Sequence, residues 1–226
     1  MTLSDLAFIL GAYLLGSVPH LYLLGLLYGK RLSGDLHHEL WRQCGRLIWV
    51  LAVFLELARG VLTILIGRWL HLDIAVIVAG GLAVVAGQMW PIFRHFDGEK
   101  GNSIGAAVAV TLTPLPFLVA LVPMFTGLLI RTIPRFLNKE QTMSEKMRFG
   151  GPPSNSFPLG MALGFAVLPL AAWALGWSAP VVQGYTALFV LIMIRRATAG
   201  LSADIKQRKN LFRVIFNRLL YDRADI

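Results

Sequence analysis

Residues 98–103 read Gly-Glu-Lys-Gly-Asn-Ser, and an apolar run follows at once from Ile104. Such a turn suits an anion. Its small residues let backbone N–H groups approach a phosphate, the N-terminus of the helix expected next adds positive potential, and Lys100 adds a full charge. The same composition would also serve as a plain connection between helices, so the turn needs company before it counts as a site. Glu56 and Arg59 supply some: they lie three apart inside an apolar run, on one face of a helix. Charge in that setting is costly and faces a polar interior, which leaves open a structural ion pair or a direct ligand contact. Arg42 and Arg46, four apart, can share a helical face just ahead of that run, as phosphate ligands or as headgroup anchors. Ser17, in Tyr-Leu-Leu-Gly-Ser-Val-Pro-His, reads first as a packing serine beside a proline kink.

Other chemistries lack their residues. His37 and His38 are adjacent, so their side chains diverge on a helix, and no further His, Asp or Glu recurs at ligand spacing; no metal is expected. Neither a Gly-x-Ser-x-Gly elbow nor a His/Asp set supports a serine nucleophile. Cys44 is the one cysteine, which excludes a disulfide within the chain and a cysteine-based metal site.

The elements that hold these residues are written in the composition. Of 226 residues 56% are hydrophobic and 15% charged, with a mean hydropathy of +0.66. The solvent for most of this chain is therefore lipid, and long apolar runs without period-2 alternation predict helices, the form that satisfies its own backbone there. The fold class is an all-α integral membrane protein of about seven transmembrane helices, at roughly 5–28, 47–67, 72–90, 103–118, 119–134, 157–175 and 178–194. The first of these has no basic start and is interrupted by Gly-Ser-Val-Pro, so it is not expected to be a cleaved signal peptide. Nineteen of the 21 basic residues fall on one side of such a bundle, with Arg68 opposite and Arg59 within a span. That side is predicted to be cytoplasmic, placing the N-terminus outside and the C-terminus inside. The net charge of +9 is thus topology and attraction to anionic membrane lipids, and no nucleic acid is expected.

Residues 1–200 are expected to form one transmembrane domain and 201–226 a basic amphipathic cytoplasmic tail. Within the tail, Leu211, Phe212, Ile215, Phe216 and Leu219 recur at helical spacing opposite Lys206, Arg208, Lys209, Arg213 and Arg218. Such a helix fits an anionic membrane surface or the protein's own cytoplasmic face. The polar stretch 135–156, ending in Gly-Gly-Pro-Pro, reads as a cytoplasmic loop of low intrinsic order.

Three stretches together resemble a known family. "AYLLGSVPHLYLLGLLYG", "RQCGRLIWVLAVFLELARG" (42–60) and "GQMWPIFRHFDGEKG" are similar to motifs of the PlsY-type acyl-phosphate:glycerol-3-phosphate acyltransferases, over residues 5–110 and more weakly through Arg195-Arg196. The resemblance implies a seven-span bacterial inner-membrane enzyme with its site facing the cytoplasm. It further implies that Arg42 and Lys100 hold phosphate at helix starts facing one cavity, as the catalytic pair. Gly98, Gly101, Asn102, Ser103, Ser17, Arg195 and Arg196 would complete the substrate-binding set. The implied substrates are an acyl phosphate and glycerol 3-phosphate or a related phosphorylated polyol, and the product is lysophosphatidate. No cofactor is implied, because substrate phosphate itself assists deprotonation of the attacking hydroxyl. The chain departs from the family pattern at Gln88, where the family has histidine, and at Glu99, where it has glycine. The run expected before Arg42 is shortened to "SGDLHHELW", with Ser33-Gly34 as its remnant, and Ser154 and Ser156 lie near an expected serine segment. The alternative is a catalytically silent or re-purposed membrane homologue that binds lipid or a partner protein. A small transporter is opposed by the lack of repeat symmetry.

Overall fold

The computed structural model describes residues 1–138, 155–206 and 210–223, which are helical with no strand among them. Ser154 and most of the polar 135–156 stretch lie outside the described residues, as do Arg208 and Lys209. The chain divides into two compact units, Met1–Pro114 and Leu115–Ile226.

The first unit opens with α1 (Leu3–Ser17) and α2 (His20–Leu27), a pair bent by 42°. The break is chemical. Pro19 has no N–H to donate, and the residue before a proline is driven to extended backbone; Val18 has φ −60° and ψ 118°. A short α3 (Leu36–Cys44) is capped by Asp35, whose carboxylate accepts from the His38 N–H at 3.1 Å. Leu36 and Leu40 bury themselves against Leu21, Leu24, Leu32 and Ala52. Gly45, at φ 92°, ends α3, and α4 (Arg46–Trp69) begins at the next residue. The shared helical face expected for Arg42 and Arg46 is therefore not formed, because a left-handed glycine separates them into two helices. Arg42 sits in the last turn of α3 and not at a helix start.

Helices α5 (Ile74–Met89) and α6 (Asn102–Leu112) complete this unit, joined through a 3-10 turn at Ile92–Arg94. Backbones come together where side chains are absent. A Cβ on Gly16 of α1 would lie 2.0 Å from the Val84 carbonyl oxygen of α5, and one on Gly87 of α5 would lie 2.1 Å from that of Tyr13. Gly60 does the same for α4 against Ile104 and Ala107 of α6. Small residues replace the hydrophobic drive that lipid removes, because close approach is what gives membrane helices their dispersion contacts.

In the second unit α7 (Pro114–Leu137) meets α8 (Ser156–Ala174) through Gly127, Gly160 and Gly164, and α8 packs on α9 (Ala179–Thr198). A short α10 (Leu201–Lys206) leads to α11 (Leu211–Tyr221), which packs on α8 and α9. The basic tail helix thus has contacts with the protein's own helices. Arg218 and Asp204 form a buried ion pair there. Leu211, Phe212 and Phe216 remain exposed.

Among the described residues, five helices are long and apolar enough to cross a membrane, six if the bent α1–α2 pair counts as one span. The remaining expected span, the fourth in chain order, is α6, of 11 residues. Its predicted extent, 103–118, is cut at Thr113, which is extended (φ −144°, ψ 92°) because Pro114 follows.

Candidate active site

Arg59 is the centre from which one end of the first unit is built. Of the two readings of Arg59, the ion pair with Glu56 is not formed; its guanidinium straps the α1–α2 break and lines an adjacent cleft. One Nη donates to the carbonyls of Gly16 and Val18 at 3.0 Å each and to Leu15 at 3.4 Å, the other to His20 Nδ1 at 2.9 Å. Proline and the bend leave those carbonyls without helical partners, and a cation that carries only donors satisfies several at once. Glu56, 2% exposed, turns elsewhere. Its Oε1 accepts from Gln88 Nε2 at 2.5 Å, and its Oε2 lies 3.3 Å from His37 Nε2. No Glu56–Arg59 ion pair forms among the described residues. The side chain that answers Glu56 comes from α3, which no periodicity in α4 could announce.

Above this layer lies a small solvent-open cleft, lined by residues of the α1–α2 break, by Arg59 and Gln88, and by Arg94, Gly98 and Glu99. Four buried polar atoms of its lining residues have no hydrogen-bond partner among the described residues: Ser17 Oγ, His20 Nε2, Arg59 Nε and Gln88 Oε1. Burial without a hydrogen bond costs on the order of 1–3 kcal/mol for each such atom.

The glycine turn forms the rim. A Cβ on Gly98 would lie 2.1 Å from the Gln88 carbonyl oxygen, which also accepts from the Glu99 N–H at 3.1 Å. Ahead of it His95 and Phe96 are left-handed (φ 53° and 62°) although neither is glycine. Gly101, at φ 73°, is the N-cap of α6 and has no side chain with which to cap the first N–H groups of the helix. Asn102 Oδ1 is buried and unpartnered. Lys100 is partly exposed one residue before that cap. Burial pushes the Glu99 carboxyl above its ordinary value, with the charges of Glu56 and Asp35 adding to it. Burial alone would lower His37; its bond to Glu56 and the charges of Glu56, Glu99 and Asp35 outweigh that and raise it.

The predicted residues divide. Ser17 and Gly98 line the cleft, and Lys100, Gly101, Asn102 and Ser103 form the turn and helix start beside it. Arg42 does not line it: its side chain is 64% exposed and grips Glu39 in a two-pronged bond at 2.9 and 3.1 Å. Arg195 and Arg196 are buried in the second unit, where Arg196 Nη1 donates to the Pro158 carbonyl at 3.0 Å and to that of Leu219 at 3.4 Å. His20, His37 and Gln88 were missed as site residues. A polar residue within an apolar run was the available signal for His20 and Gln88; for His37 only the fold brings Glu56 near.

Comparison with known proteins follows the same outline. The family model described as glycerol-3-phosphate acyltransferase matches residues 6–215. The glycerol-3-phosphate acyltransferase of Desulforamulus reducens is 32% identical over 135 residues, 57% of this chain and 67% of the relative. Glycerol-3-phosphate acyltransferase 4 of Dehalococcoides mccartyi is 24% identical over 93% of this chain and 85% of its own. The crystal structure of PlsY, an integral membrane glycerol 3-phosphate acyltransferase in its lysophosphatidic acid form, shares the fold with a TM-score of 0.67 and 23% identity, over 92% of this chain and 94% of that one.

Proposed function

The chain belongs to the glycerol-3-phosphate acyltransferase family, and from that premise we propose how its residues act in the reaction. It is a multi-pass membrane acyltransferase, and glycerol 3-phosphate is its acceptor. The donor is an acyl phosphate and the setting a bacterial inner membrane, with the glycine turn on the cytoplasmic side, where the basic loops lie. The observation that carries this reading is the uncapped N-terminus of α6 behind Gly98–Gly101 and Lys100. Lys100 directly precedes the Gly101 cap, so a cation, a helix dipole and backbone N–H groups lie close together in the chain, the set that phosphate binding uses.

In the reaction the acceptor hydroxyl oxygen bonds to the acyl carbon, the bond from that carbon to the phosphate oxygen breaks, and inorganic phosphate leaves carrying the hydroxyl proton. The protein contributes orientation and charge. Lys100 and the α6 N–H groups neutralise phosphate, Asn102 and Ser103 extend the same donor row, and Arg42 becomes a second cation once it releases Glu39. Catalysis of this kind draws on positioning and preorganised electrostatics. The test is acyl transfer by the purified protein with acyl phosphate and several phosphorylated acceptors. Lysophosphatidate and one inorganic phosphate per turnover with glycerol 3-phosphate are expected. A well-folded preparation that hydrolyses or ignores acyl phosphate with every acceptor overturns the reading.

A further inference from the structure

Helix α11 is assembled the wrong way round for a protein in water. Its buried residues are Val214, Asn217 and Arg218, two of the three polar. Within that contact Arg218 pairs with Asp204 of α10, and the Leu219 carbonyl accepts from Arg196 of α9 at 3.4 Å. The opposite face is apolar. Phe212 and Phe216, four apart, share it, while Val214, two from each, points the other way. Phe212 is 82% exposed, Phe216 51% and Leu211 43%, and the two rings stack with centroids 6.5 Å apart. A helix in water turns its apolar stripe to the core and its charges to solvent. Here the arrangement is reversed, and the medium that makes the reversal favourable is hydrocarbon.

Position and charge identify that medium. Arg196 Nη1 donates to the Pro158 carbonyl as well as to that of Leu219, so the C-terminal half of α11 sits where α8 begins and α9 ends, at one boundary of two apolar spans. Val190 and Ile194 keep α9 apolar and exposed almost to its last turn, so lipid reaches the level of α11. Residues 204–223 hold six basic and two acidic residues, a net charge of +4, and the exposed Arg213 stands beside the phenylalanines.

We propose that α11 lies in the headgroup layer of an anionic membrane, on the side where α8 starts and α9 ends, with Leu211, Phe212 and Phe216 among the acyl chains and Arg213 at the headgroup phosphates. Basic amphipathic helices bind in this way, by apolar area and by attraction to anionic lipid, and an arginine stem can lie along apolar surface while its guanidinium stays at the phosphate level. The helix then has two partners: its polar face is satisfied by the protein and its apolar face by lipid. A second copy of this chain is a poorer occupant, because it would bring two tails of charge +4 together, whereas anionic headgroups neutralise them. The inference stands on the membrane character of the chain and not on its chemistry as an acyltransferase.

Cys44 is the one cysteine, so spin labels can be placed singly once it is replaced. In a Cys44→Ala background, Phe212→Cys, Phe216→Cys and Arg213→Cys are each labelled with a nitroxide, and the full-length protein is set in nanodiscs of phosphatidylcholine with or without phosphatidylglycerol. Collision with oxygen, which concentrates in acyl chains, is compared with collision with a water-soluble nickel chelate. The ratio of oxygen to nickel collisions is expected to be severalfold higher at 212 and 216 than at 213, and higher with phosphatidylglycerol than without. Unsubstituted protein, photolabelled by a phospholipid with a diazirine in its acyl chain, is expected to carry label on peptides from 211–221, which tests the idea even if a cysteine variant does not fold. Free access of nickel to 212 and 216, with no photolabel on these peptides, overturns the proposal. So does protection from both reagents with spin–spin broadening between copies, which would make the face a contact between two chains. Equal immersion in the two lipids overturns the anionic preference.

Discussion

Lys100 and Glu99 stand side by side on the rim with opposite charges, and they define what the turn can do. If Lys100 neutralises charge that shifts in the transition state, Lys100→Ala lowers kcat for acyl transfer by about 10² to 10³, the range for loss of one preorganised electrostatic group. Folding survives this change, since a partly exposed lysine in a loop contributes little packing; a thermal unfolding curve like that of wild type checks it. Glu99 should oppose anion binding when ionised. Its carboxyl is held above the ordinary value, first by burial, so its charge disappears as pH falls through that raised value. The expected sign is a glycerol 3-phosphate KM that improves on acidification more in wild type than in Glu99→Gly. The variant has no carboxyl to protonate and is expected to bind severalfold tighter at neutral pH. Parallel KM–pH curves for the two proteins would show that Glu99 does not face the phosphate.

Helices in this chain are arranged by what glycine permits. Gly16 and Gly87 bring the α1 and α5 backbones together, and that contact sets where Ser17 and Gln88 stand beside each other. A methyl at Gly16 would collide with backbone atoms of Val84, which cannot rotate away, so the helices must part. Gly16→Ala is expected to cost about 3 kcal/mol or more, at the upper end for overpacking, and to abolish activity through displacement of the cleft floor. Gly11, on the same helix with nothing within 4 Å, is the control. Gly11→Ala is expected to leave stability and turnover within error of wild type, and equal losses at both positions in detergent melts would show that helix flexibility, not close approach, is what matters.

For the molecule as a whole, the distribution of basic residues makes a prediction that geometry without a membrane does not. A reporter fused at residue 145 and one at 226 should both signal cytoplasm, and one at 177 should signal the outside. Placement of 145 and 177 on the same side contradicts the orientation. It would also bear on α6: at 11 residues and about 1.5 Å per residue it is shorter than the hydrocarbon core, so it crosses only with help from the turn before it and Thr113 after it.

The lipid environment, the helical class and the family were legible in the sequence because each rests on local composition: apolar runs, basic loops and short motifs. The partners of the buried charges were not. Glu56 and Arg59 share a helix face, and from α4 alone an ion pair is the natural reading. The tertiary structure separates them because better partners come from elsewhere: carbonyls freed by Pro19 for Arg59, and His37 with Gln88 for Glu56. Likewise Arg42 and Arg46 are in phase on paper, and one left-handed glycine at position 45 puts them on different helices. Local pattern reports what a segment tends to be; which polar groups it must satisfy depends on the neighbours that packing brings to it, and in a low-dielectric interior that need outweighs sequence proximity.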